Sequence, residues 1–81
     1  MRVGKFYVYM QNEEQYLKTS KALWTMKFVP FRVEYLFIEN RFEFVGYSPR
    51  FDEVPLGEIT PTYKIIINDL GGEFHVSVKR L

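Results

Sequence analysis

No cysteine occurs in the 81 residues of this chain. That excludes a disulfide, a thiolate zinc site and a thiol nucleophile, and it suits a reducing compartment. Histidine is scarce too: His75 is the single copy. Zinc is held by several His, Cys or carboxylate ligands, and no spacing here supplies such a set. His75 therefore reads as a surface or satisfied strand residue, and neither a metal nor a cofactor is expected. An excess of one charge is also missing, with eleven basic residues against ten acidic. A domain that binds duplex DNA through its phosphates carries a clear basic excess, and a mimic of DNA would carry an acidic one. Long apolar runs are absent. Tyr35-Leu36-Phe37-Ile38 spans four residues, where a membrane helix needs about 20. The segment after Met1-Arg2-Val3-Gly4-Lys5 turns polar at Gln11 to Gln15 and does not form the apolar core of a signal peptide. No membrane association is expected, and the expected location is cytoplasmic.

What the chain does have is apolar and aromatic mass, 47% and 19% of its residues. The length predicts one domain, residues 1–81. A domain this small buries only roughly 60% of the surface of its unfolded chain, so its stability has to come from a dense core or from self-association.

Local patterns give the order β-α-β-β-loop-β-β. Lys5 to Met10 is rich in Phe, Tyr and Val and reads as a strand. Asn12 is a good helix N-cap, with Gln15 three residues on and acids at Glu13 and Glu14 where the helix dipole favours them. Tyr16, Leu17, Ser20, Leu23, Trp24 and Phe28 follow a helical spacing, which predicts a helix over 13–25. Trp24, Met26 and Phe28 also alternate as in a strand, so residues 22–29 admit either reading. Phe31 to Ile38 and Arg41 to Tyr47 form a predicted hairpin across Glu39-Asn40. Ser48 to Thr60, with Pro49, Pro55 and Gly57, reads as a loop. It is either a functional loop or a packed connection pinned by Phe51, Val54, Leu56 and Ile59. Thr62 to Asn68 and Glu73 to Lys79 are strands joined at Asp69-Leu70-Gly71-Gly72. The fold class is α+β, one helix on a four- to five-stranded, mainly antiparallel sheet.

Alternation sorts the strand residues into two faces. Phe6, Val8, Met10, Val33, Tyr35, Phe37, Phe42, Phe44, Ile65, Ile67, Phe74, Val76 and Val78 form an apolar set that should lie under the helix. The other set mixes charge with Tyr7, Tyr9, Leu36, Ile38, Val45, Tyr47 and Ile66. Long charged stems can cover such a face, or a partner can. Interfaces favour Tyr and Arg among scattered apolar contacts.

No catalytic constellation is present. Ser20, Ser48 and Ser77 lack a base, Glu13-Glu14 complements a helix start, Asp52-Glu53 decorates a loop, and Gly71-Gly72 joins two strands where a phosphate cradle would open a helix. The stretch Asn40 to Tyr47 resembles the aromatic octapeptide of the RNA-recognition motif at Phe42, Phe44, Val45 and Tyr47. The resemblance implies a β-α-β-β order with Phe42 and Phe44 exposed to stack on bases. Arg41 and Glu43 replace small residues of that family, and exposed phenylalanines would drive this pair toward the helix at a cost of several kcal/mol per ion.

The leading expectation is a non-catalytic protein-binding or regulatory module, an inhibitor or adaptor of the kind phages and mobile elements encode. It would dock on another protein through the second sheet face and the 48–61 loop, with Tyr7, Tyr9, Tyr47, Arg50, Phe51 and Asp52 as contacts. A single-stranded nucleic-acid binder using sheet aromatics is the second expectation, and a structural homo-oligomer the third.

Overall fold

A computed structural model describes residues 1–9 and 12–81. Met10, placed by the sequence at a strand end and on the buried face, lies outside the described residues. The elements run β1 (Val3–Val8), α1 (Glu13–Thr25), β2 (Val29–Leu36), β3 (Arg41–Tyr47), β4 (Tyr63–Leu70) and β5 (Glu73–Arg80). The strands form two antiparallel sheets, β1-β3-β2 and β4-β5. A parallel bridge from Lys5 to Thr62 links them, with the Lys5 N–H donating to Pro61 O at 2.9 Å. β1 and β2 both run antiparallel to β3, so β3 fills the gap of a split β-α-β unit. This is the α+β class expected, with the sheet divided into three strands and two.

The helix starts and stops for local reasons. Asn12 is extended, and its Oδ1 accepts from the Gln15 N–H at 2.8 Å, which satisfies one of the orphan donors of the first turn. At the other end, the N–H of Phe28 donates to Leu23 O and that of Lys27 to Trp24 O. Lys27 has φ of 53°. This pattern is a Schellman stop, with lysine at the left-handed position that glycine usually holds. With no glycine to mark the stop, the strand-like alternation of Trp24, Met26 and Phe28 leaves residues 22–29 reading both ways in the sequence. The β4–β5 turn follows the ordinary rule: Gly71 and Gly72 both have positive φ, as a two-residue hairpin turn with the right twist demands.

The core lies where the two sheets meet beneath the helix. Thr19, Ala22 and Met26 are the buried residues on this side of the chain, and Leu23 packs against them. A cavity of about 150 Å³ between Thr19, Ala22 and Leu23 of α1 and Phe6, Val8, Ile65 and Ile67 places the helix over β1 and β4. Within the helix the fully covered side chains are the small Thr19 and Ala22, and the larger Met26 fills the core at the helix end. Tyr16, Leu17 and Trp24, which share the apolar spacing, stay exposed.

Gly4 and Gly46 sit opposite each other across β1 and β3. A Cβ on Gly4 would lie 2.6 Å from the Tyr63 ring and 2.9 Å from the Phe51 ring, and one on Gly46 would lie 2.7 Å from Phe28. The bare backbone there is a floor for an aromatic cluster. Phe51 stacks on Tyr63 with centroids 4.5 Å apart, Phe28 meets Phe51 and Phe6 edge to face, and Phe6 stacks on Phe44 at 5.2 Å.

The apolar face does not end where the helix does. β2 is the outer strand, two positions from β1, and α1 meets it only near its start at Val29. Val33 and Tyr35 pair with Phe44 and Phe42 and so point to the helix side, yet both are exposed. Phe37 and Ile38 leave the strand altogether for the Phe37–Asn40 turn and are 78% and 87% exposed. Assigning Val33, Tyr35 and Phe37 to a covered face is thus corrected. Parity gives the side a residue faces, but not whether anything lies over it.

Candidate functional site

The six expected contact residues separate into two groups. Tyr7, Tyr9 and Tyr47 belong to the helix-free side of β1 and β3 or its continuation. The row Tyr7–Glu43–Glu34 crosses the sheet there, as does Val3–Tyr47–Val29. Arg41 organises this surface. Its guanidinium lies 3.7 Å from the Tyr7 ring centre and donates to the Tyr9 hydroxyl at 3.1 Å. Glu43 accepts from Arg32 at 2.7 Å. Desolvation raises the Tyr7 phenol above its ordinary value; the neighbouring Glu43 carboxylate adds to the rise, and Arg41 opposes it. Tyr7 and Tyr9 are thus already engaged by Arg41, and Glu43 by Arg32.

Arg50, Phe51 and Asp52 serve the fold. Phe51 is fully buried, so it is a core residue and its placement on a contact surface is corrected. The Arg50 guanidinium donates to the Val76 main-chain oxygen. The Asp52 N–H donates to the Tyr63 hydroxyl at 2.9 Å, and its carboxylate meets Arg80 at 3.3 Å. Ser48 is buried, donating to Met26 O at 2.6 Å and accepting from the Arg50 N–H. The start of the 48–61 segment is therefore a packed connection. Its tip differs: Leu56 and Ile59, read as pins, are both exposed, and Gly57 turns the chain at φ of 87°.

The octapeptide resemblance meets the same test of placement. Phe44 is buried against Phe6, and Phe42 packs on the same cluster. Both rings face the helix side, and Arg41 and Glu43 face the opposite one. That orientation agrees with the charge argument drawn from the sequence. His75 is exposed and lies 3.1 Å from Glu73. Among the described residues, no group of three or more His, Asp or Glu side chains could hold a metal, and no helix is long and apolar enough to cross a membrane.

The least-explained surface is one the sequence did not mark. Leu23, Trp24, Lys27, Phe28 and Val29 line an apolar groove of about 330 Å³ at the exit from α1. Trp24 is 85% exposed at its rim. The backbone of Lys27 is held there by the helix stop, and its ammonium makes no ion pair among the described residues. One sequence signal did point here. Thr19 and Ala22 recur at helical spacing, and these small residues on the buried side turn the bulky Trp24 outward.

Comparison with protein-family models, with curated proteins and with solved structures finds no significant match.

Proposed function

We propose that this protein is a non-catalytic docking module, an inhibitor or adaptor, that grips an apolar anchor of another protein in the groove beside Trp24. The observation that carries the reading is the exposure of the chain's one tryptophan at the rim of an apolar groove. Tryptophan is among the residues most enriched at the energetic centres of interfaces. An exposed indole over a preformed apolar floor offers such a centre at little entropic cost, because Phe28 below is already fixed by Phe6 and Phe51. Lys27 adds a charge preference, so the fitting anchor is an apolar side chain with a carboxylate nearby. The reading moves the contact surface from the tyrosine face and the 48–61 loop to the α1–β2 junction. It keeps the cytoplasm as the working compartment, which a cysteine-free chain suits.

The test compares wild type with W24A in affinity capture from lysate, with and without nuclease. Because Trp24 is exposed, W24A should unfold like wild type. The expected result is a stoichiometric protein retained by wild type after nuclease, lost on W24A, and able to blue-shift Trp24 emission when purified and added back. A partner held equally by W24A would remove the groove from the interface. Nuclease-sensitive retention would turn the reading to nucleic acid.

A further inference from the structure

We propose that two copies of this chain pair edge to edge through β2, antiparallel and with Val33 on the two-fold axis, to make one continuous sheet. The inference uses a different edge of the molecule from the Trp24 groove and stands whether or not the groove takes a partner.

β2 is the end strand of its sheet, and an open strand edge is a template for another strand. The opposite end strand, β5, is occupied at its centre, where the Val76 oxygen accepts from Arg50. Its central side chain, Val76, is buried. β2 differs on both counts. Val33 and Tyr35 remain exposed on its helix side, so pairing would cover apolar surface as well as join main chains.

Charge selects the second copy as the occupant and sets the register. On the helix-free side β2 carries Arg32 and Glu34. Glu34 lies directly opposite Glu43 of β3 and makes no ion pair among the described residues. Like charges directly opposite each other destabilise a sheet, so Glu34 sits at the free edge with a repulsive neighbour and an unmet need for a cation. Antiparallel pairing about a two-fold axis keeps each face with its like, so the residues paired across the joint share parity. Centring on Arg32 sets arginine against arginine, and centring on Glu34 sets glutamate against glutamate. Centring on Val33 sets Arg32 of each copy opposite Glu34 of the other. Arg32 already donates to Glu43 at 2.7 Å through Nη2, and its remaining donors are free to reach the second copy. The charges then alternate across the joint, Glu43–Arg32–Glu34 in each direction. Pro30 and the bulge between Pro30 and Arg32 confine the pairing to the middle of the strand, so the interface is small and the dimer weak.

The test is sedimentation velocity at low salt across about 10 µM to 1 mM, a range suited to a small interface. Wild type should pass from monomer to dimer, and less so at high salt, because exposed charges are screened. E34R sets arginine against arginine at the joint and should weaken the dimer at least tenfold, an estimate from two like-charge contacts. Within the chain, however, E34R places arginine opposite Glu43, so its urea midpoint should hold or rise. R32E should likewise fail to dimerise alone. Mixed with E34R, it presents an all-acidic edge to an all-basic one, and a heterodimer should form. A wild type that stays monomeric throughout would overturn the proposal. So would a dimer that E34R leaves intact, or single variants that fail to complement each other.

Discussion

Replacing Phe51 with alanine separates a core role from a contact role. The ring is fully buried, lies 4.5 Å from Tyr63 centre to centre, and rests on the bare backbone of Gly4. A buried Phe→Ala change costs about 3–5 kcal/mol, more where the site cannot collapse. Collapse is limited here. Tyr63 is anchored by its hydroxyl to the Asp52 N–H, and the Phe51 carbonyl is held by Arg2 at 2.7 Å. Native stability of roughly 0.05–0.15 kcal/mol per residue gives a chain of this length about 4–12 kcal/mol in total. F51A should therefore remove between about a quarter and all of it. Each kcal/mol moves the midpoint of so small a domain by about 4–8 °C, so Tm should fall by more than about 12 °C. Far-UV circular dichroism in urea and on heating is the right assay, because exposed Trp24 reports folding poorly. F31A, at an exposed strand position, is the control and should change stability by under about 0.5 kcal/mol. A loss below about 1 kcal/mol for F51A would refute the core assignment and return Phe51 to the surface.

Three further outcomes follow from local geometry. G46A should destabilise by about 1–3 kcal/mol in the same urea assay, because its Cβ would strike the Val29 carbonyl and the Phe28 ring; a neutral result would mean that the floor yields. K27G should stabilise by about 1 kcal/mol by relieving a side chain at positive φ, while removing the cation from the groove and weakening the proposed partner's grip; a loss of stability would show that the lysine stem packs. The raised Tyr7 phenol means that the fold favours its neutral form. Its contribution is thus full below the ordinary value of 10.0 and is lost as pH rises through the native value. The stability gap between wild type and Y7F should shrink above that pH in urea titrations, and a gap that stays flat would contradict a phenol raised by desolvation and Glu43.

The helix was legible because its start is chemical: Asn12, the acids after it and Gln15 can be read one residue at a time. Its end falls at Thr25 as expected, but a strand reading of 22–29 stays open in the sequence, since the stop uses Lys27 in a conformation the residue type does not announce. The faces of β1, β3, β4 and β5 followed from alternation, because period two is a property of a strand by itself. Coverage is a property of neighbours. Nothing within Phe31 to Ile38 tells that β2 ends up outermost and, past its start, beyond the reach of α1, so its apolar side was assigned to a core it only borders. The 48–61 segment was ambiguous for a related reason. Phe51 looks like a loop residue until Gly4 is seen to make room for it and Gly46 for its neighbour Phe28, both glycines in strand interiors. Those glycines were the available clue, since a glycine inside a strand often marks a close approach.

The Gly4–Gly46 floor also has a kinetic consequence. The rings that fill it come from three separate joints of the chain, Phe28 before β2, Phe51 after β3 and Tyr63 at the start of β4. No single hairpin or helix can assemble the cluster by local contacts, so the chain must close several long loops before burial rewards any of them. Folding should therefore be slow for a domain of this size and should proceed as one concerted event, with β1 and β3, which carry the floor, among the last amides to exchange with solvent.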